Sequence, residues 1–238
     1  MMTRLYQKNE FTFSIVWIVL YVVLLSAADQ ISTRFGTAKA VTAPLTVAMT
    51  VFLAAWIGKN HLKEKYGLAR VSIEYKKYLY FLPLILIAST NLWRGAALNM
   101  SVLETVLYVI SMLCVGFLEE VIFRGFLFQA LCKDNVKQAV VISSITFGIG
   151  HIVNLLNGAE IGPTLLQICY AVALGFLFTI IFYRSKSLIP CIVTHSVINS
   201  LSAFAVGGSK IYGIAGAAAL TIVSLLYAVW IEKRTECF

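Results

Sequence analysis

Two adjacent carboxylates stand inside an apolar run, Glu119 and Glu120 in Leu-Glu-Glu-Val-Ile-Phe-Arg-Gly, with Arg124 four residues after the second. A charge set against hydrocarbon is costly unless it is paired or hydrated, so such groups are functional candidates. Two histidines follow in equally apolar surroundings: His151, four residues after Phe147, and His195, four residues before Asn199. On a helix the members of each such pair share a face. Glu120 therefore meets Arg124 and stays ionised, while Glu119 points about 100° away, less compensated and suited to take a proton as a general base. A histidine near a carboxylate can hold a water between them, and a second histidine with an asparagine offers donors to a developing oxyanion. These are the components for hydrolysing an amide or an ester.

Two mechanisms use the same side chains. Glu119, His151 and His195 can be read as a zinc site with an open water position. Without metal, Glu119 and His151 activate water while His195 and Asn199 stabilise the tetrahedral intermediate. The sequence lacks His-Glu-x-x-His, and the three ligands would come from separate helices, so spacing does not choose between them. A serine nucleophile fits worse, because Ser196 lies off the face shared by His195 and Asn199 and there is no Gly-x-Ser-x-Gly elbow. Buried Glu, Arg and His also suit a proton-coupled transporter, although no clear repeat relates the two halves.

The elements that carry these residues belong to a membrane. Apolar residues make up 60% of the 238 and charged residues 13%, against about a quarter charged in soluble domains. The fold class expected is all-α, a polytopic bundle of about eight transmembrane helices, near residues 11–28, 41–58, 78–93, 101–120, 138–156, 164–183, 188–206 and 211–231. Apolar character continues past the glutamates to Leu131, so one helix from about 101 to 131 places them mid-span. At 1.5 Å per residue, Glu119 lies roughly 18 Å, His151 roughly 20 Å and His195 roughly 10 Å from the inner ends of their helices, close enough to share one layer. With the amino terminus inside, fourteen Lys and Arg fall on inner segments and four on outer ones, leaving aside Arg124. Eight spans with both termini cytoplasmic fit the positive-inside rule, and a basic inner face against anionic lipid accounts for the net charge of +8 without nucleic acid.

The first apolar run is longer than the 7–15 residues usual for a signal-peptide core, so it is read as a span. Residues 59–77 read as a solvated inner loop in preference to an amphipathic helix on the bilayer. The five cysteines are scattered without metal or disulfide spacing, and Cys237 does not sit as a prenylation signal would place it. Gly116, Gly125, Gly148, Gly150, Gly207, Gly208, Gly213 and Gly216 are read as points of close helix packing. Residues 1–238 form a single transmembrane domain with its motif core at 119–199.

The ordered motifs Glu119-Glu120-x-x-x-Arg124, Phe147-x-x-x-His151 and His195-x-x-x-Asn199 resemble the signature of the CAAX prenyl protease and bacteriocin-processing family, the Abi or CPBP intramembrane proteases. The resemblance covers residues 119–199 in motif and the whole chain in its eight-span plan. It implies a membrane-embedded endopeptidase whose site opens toward the cytosol and lipid. Carried over residue by residue, Glu119 and His151 activate water, His195 and Asn199 form the oxyanion site, and Glu120, Arg124 and Phe147 support the geometry. The family has been described both as metalloproteases and as glutamate-dependent enzymes without catalytic metal, and the metal-free reading is preferred, with zinc on Glu119, His151 and His195 as the alternative. The implied partners are membrane lipid and a peptide or prenylated protein substrate; the implied activities are CAAX trimming or peptide and bacteriocin maturation. A non-catalytic immunity protein on the same scaffold is the rival within the family.

Overall fold

The computed structural model describes residues 2–69 and 79–234. Their helices are α1 (Met2–Lys8), α2 (Glu10–Arg34), α3 (Thr42–Lys59), α4 (Pro83–Ala88), α5 (Val102–Glu120), α6 (Gln129–Leu131), α7 (Val136–Gly150), α8 (Ile161–Ser185), α9 (Ile189–Leu201) and α10 (Lys210–Arg234). A π-helical stretch, Val121–Phe128, joins α5 to α6 into one rod, Val102–Leu131. The expected long helix with mid-span carboxylates is therefore present.

The helices start where the sequence supplies caps. The Asn9 side chain accepts from Thr12 N at 2.8 Å, Asn135 accepts from Gln138 N at 3.1 Å, and Ser101 with Glu104 forms a capping box. Large apolar side chains such as Val19, Val23, Val51 and Leu226 point outward. In water they would be a liability; in lipid they are the expected surface.

Among the described residues six helices are long and apolar enough to cross a membrane, and two of the eight expected spans are shorter. The run expected at 78–93 gives a short apolar helix, Leu79–Ala88, that contains α4, and a 3₁₀ turn, Thr90–Leu92, with residue 78 outside the described residues. There the Ser89 and Thr90 hydroxyls bond to Leu86 O and Ile87 O, and Asn91 donates to Ile198 O on α9 at 2.7 Å, so side chains compete with the helical ladder. The stretch expected at 188–206 is α9 with a 3₁₀ end, Ser202–Phe204.

Cross-links between elements define two ends. At one, Glu10 pairs with Lys65 at 2.7 Å and Lys133 at 2.9 Å, Lys65 also donates to the Tyr6 hydroxyl, Leu188 N donates to Gly67 O, and Arg184 reaches Glu232 O. Burial alone would lower the Lys65 ammonium, but its bonds to Glu10 and Tyr6 hold it above its ordinary value. Gly67 is required here: its φ is +61°, and a Cβ would stand 2.6 Å from Lys186 O. At the other end Lys39 pairs with Asp29 at 2.8 Å, Ala38 N donates to Glu104, and Ala97 N donates to Phe204 O. The lysine-rich segments assigned to one side by charge lie at the first end. Arg70, Lys76, Lys77 and the rest of 70–78 lie outside the described residues, as does Cys237; Asn60–Ala69 is turns and coil with no helix.

The lysine-rich end is filled by aromatic side chains. Phe13 on α2 lies 5.1 Å from Trp56 of α3 and 5.0 Å from Phe126, and Tyr66 packs on Phe126 at 5.1 Å. Phe128, Phe178, Phe182 and Leu188 are buried in the same core.

Candidate active site

All eight residues of the π-helical stretch are buried, and it begins directly after the two glutamates. A π segment widens the helix and is often found at functional sites. Across it Arg124 Nη1 reaches Glu120 Oε1 at 3.0 Å, and neither side chain has any exposed surface. The expected i,i+4 pair is formed. The guanidinium carbon lies 4.1 Å from the centroid of the Phe147 ring, a cation–π contact for a group whose Nε and Nη2 make no hydrogen bond. Room for it comes from α8, where a Cβ on Gly175 would stand 3.1 Å from Nη2 and 3.2 Å from Phe147.

His195 on α9 binds the same oxygen of Glu120 through Nδ1, at 2.8 Å. A carboxylate paired with Arg124 can only accept, so Nδ1 carries a proton and the tautomer of the ring is set. Nε2 is thereby aimed at Glu119 Oε2, 3.4 Å away. That separation is an ion-pair distance too long for a good hydrogen bond, and Glu119 Oε2 has no other partner. Arg124 and Glu120 balance one another as an ion pair, the condition under which such groups survive burial.

The other oxygen of Glu119 accepts from Tyr21 of α2 at 2.7 Å. Sequence reading missed Tyr21, which sits in an unremarkable apolar run. The usable signal was its place on a lipid-spanning helix, where a hydroxyl needs a partner.

His151 caps α7 where the helix tightens into a 3₁₀ turn, His151–Leu155, and its Nδ1 lies 3.3 Å from Phe147 O. The Phe147 ring stands edge-on between both histidines, 5.3 Å from His151 and 5.6 Å from His195. Glu119, His195, Glu120, Arg124 and Phe147 are thus in direct contact, whereas His151 joins them through Phe147. Asn199, one turn beyond His195, touches none of them through its side chain but faces the same space. A cavity of about 1060 Å³ is lined by Tyr21, Glu119, Phe147, His151, His195 and Asn199. A smaller cleft between α2 and α7 also reaches Glu119 and His151.

The zinc alternative can be tested on the donor set. Glu119 Oε2 and His195 Nε2 face one another, but among the described residues no three His, Cys, Asp or Glu side chains form a group that could hold a metal ion. As placed, Glu119, His151 and His195 do not fit a zinc site. Ser196 donates to Leu113 O at 3.0 Å and is tied to α5. Gly116 is what lets α9 approach so closely, since a Cβ there would stand 2.6 Å from Ser196 N; Gly148 does the same for α8, with Val172 N at 2.8 Å. Gly150, Gly207, Gly213 and Gly216 face open space instead, Gly125 makes ordinary contact, and Gly208 meets only the flexible end of Arg94.

Residues 101–201 match the family model described as type II CAAX prenyl endopeptidase Rce1-like. Over that stretch the chain is similar to the Rce1-like family. The match begins at Ser101, the cap of α5, and ends at Leu201, the last residue of α9, so the Rce1-like match contains both glutamates, Arg124, both histidines and Asn199. Tyr21 and α10, which complete the cavity wall, lie outside the Rce1-like match. Comparison with curated proteins gives no match, and comparison with solved structures gives none.

Proposed function

We propose that this chain is an intramembrane endopeptidase that hydrolyses a peptide bond in a membrane-associated polypeptide without a catalytic metal. The reading rests on one observation: Glu119 from α5, His151 from α7, and His195 with Asn199 from α9 line a single cavity inside an apolar bundle. Tyr21 fixes one oxygen of Glu119, leaving the other to draw a proton from water held between Glu119 and His151. Attack on the scissile carbonyl then places negative charge on its oxygen, within reach of the Asn199 amide and of His195, whose ring donates from Nε2 when both nitrogens carry a proton. Glu120 and Arg124 keep the His195 ring from turning, so the donor is oriented before charge develops. Collapse of the intermediate returns the proton to the leaving amine from Glu119. The charge distribution favours a cell inner or plasma membrane with both termini cytoplasmic.

Purified protein incubated with a prenylated CAAX peptide and with an unmodified transmembrane peptide tests this. Cleavage of either, lost in Glu119→Gln, is expected; cleavage that persists in Glu119→Gln overturns it.

A further inference from the structure

Beside the residues of the proposed reaction, the cavity wall carries a pair of amides. His151–Leu155 is a 3₁₀ turn, in which side chains three positions apart eclipse, so Asn154 stands over His151 one turn on, roughly 6 Å along the axis. There its Nδ2 donates to Oε1 of Gln167, near the start of α8, at 2.9 Å. Both side chains are half-buried and line the cavity that holds Glu119 and His195, and Asn154 also borders the cleft that reaches Glu119 between α2 and α7. That one bond leaves half of each amide unused. Among the described residues the Asn154 carbonyl oxygen and the Gln167 amino group make no other hydrogen bond. In an apolar bundle such groups belong to whatever fills the cavity.

Resting on the endopeptidase reading, we infer that Asn154 and Gln167 bind the main chain of an extended polypeptide substrate, about two residues from the scissile bond. An acceptor and an amino donor held side by side complement the N–H and C=O that one residue of an extended chain directs to the same side, as in a hydrogen-bonded pair of antiparallel strands. Turning both amides over exchanges the two roles and leaves the same complement. The register follows from the offset between Asn154 and His151, since two residues of extended chain advance about 6–7 Å. Recognition through the main chain selects conformation and tolerates many side chains. A helical segment has both groups engaged internally and must unwind before it binds. An acyl chain has no N–H to offer the Asn154 carbonyl.

The test pairs changes in the substrate main chain with changes in the protein. A quenched-fluorescence transmembrane peptide is made with all amide links and as a series in which an ester oxygen replaces one N–H at a time on either side of the cleaved bond, that bond itself kept as an amide. In the parent, one ester should raise KM roughly three- to ten-fold, the value of one hydrogen bond, with kcat nearly unchanged. In Asn154→Ala the all-amide peptide should already show that higher KM, and the same ester should cost nothing further. Asn154→Asp keeps the acceptor and should keep the ester penalty. Because KM does not depend on how much protein is folded, the ester-to-amide ratio within each variant remains readable if a variant is less stable. An ester penalty of equal size in Asn154→Ala and the parent, or no penalty at any position, overturns the inference. If the parent cleaves none of these peptides, the endopeptidase reading fails, and binding of the same peptides followed by fluorescence anisotropy decides the main-chain site on its own. Binding weakened by an ester in the parent but not in Asn154→Ala supports it, and equal weakening or none overturns it.

Discussion

Tyr21 and Glu119, 98 positions apart in the chain, meet through a hydrogen bond of 2.7 Å from the phenol to Oε1. The contact joins α2 to the carboxylate at the head of the π-helical stretch and fixes which oxygen faces His195. Because α2 precedes the Rce1-like match, the proposed base is oriented by a residue the family stretch does not contain.

Removing that phenol hydroxyl tests its role. A hydrogen bond to a charged group contributes about 1.5–3 kcal/mol, so Tyr21→Phe should lower kcat about ten- to hundred-fold. KM and melting temperature should stay close to the parent, since the ring still fills its place. An unchanged kcat would show that Glu119 orients itself.

For the carboxylates, two isosteric changes should behave differently. Glu119→Gln removes the base and should cut kcat by roughly 10²–10⁴-fold in a protein that folds normally. Glu120→Gln leaves Arg124 buried without its counter-charge, so loss of folded protein in a detergent extract should accompany the loss of activity.

Arg124 and Glu120, both fully buried, allow a sharper comparison. Arg124→Ala leaves a buried carboxylate uncompensated, at a cost of about 3–5 kcal/mol. The double change Arg124→Met with Glu120→Gln should recover thermal stability but not cleavage, because His195 loses the acceptor-only carboxylate that sets its tautomer, an amide being able to donate as well as accept. Thermal melts of these two variants and of Glu120→Gln, beside their turnover rates, decide this.

Two glycines on one helix give a packing control. Gly148→Ala would press on Val172 of α8 and should destabilise by about 1–3 kcal/mol, whereas Gly150→Ala enters open space and should melt like the parent.

Chelation addresses the metal question directly. Cleavage should be unaffected by prolonged dialysis against a strong chelator, and activity lost on dialysis and restored by zinc would reinstate the His151, His195 and Glu119 ligand set.

Much of the site was legible because helical spacing is strict. Glu120 with Arg124 and Phe147 with His151 sit four apart, and both contacts exist. The membrane architecture followed from apolar length alone. What escaped reading depended on groups that meet across the bundle. No local pattern announces that Glu120, expected to pair with Arg124, also holds His195, or that Tyr21 caps Glu119. The π turn is equally silent, since its eight apolar residues would suit an α-helix as well. The two shortened spans show the same limit: hydropathy counts apolar residues, but Ser89, Thr90 and Asn91 divert hydrogen bonds and end the helix early.

The pairing of α4 with α9 puts the two short helices side by side. Ile189–Phe204 rises only roughly 25 Å, several ångströms less than the hydrocarbon thickness of about 30 Å. A bilayer that matches this pair by thinning would do so at a cost of fractions of a kcal/mol per Å. It would then be thinnest next to the helix that carries His195, where an unfolding stretch of polypeptide has the least oil to cross.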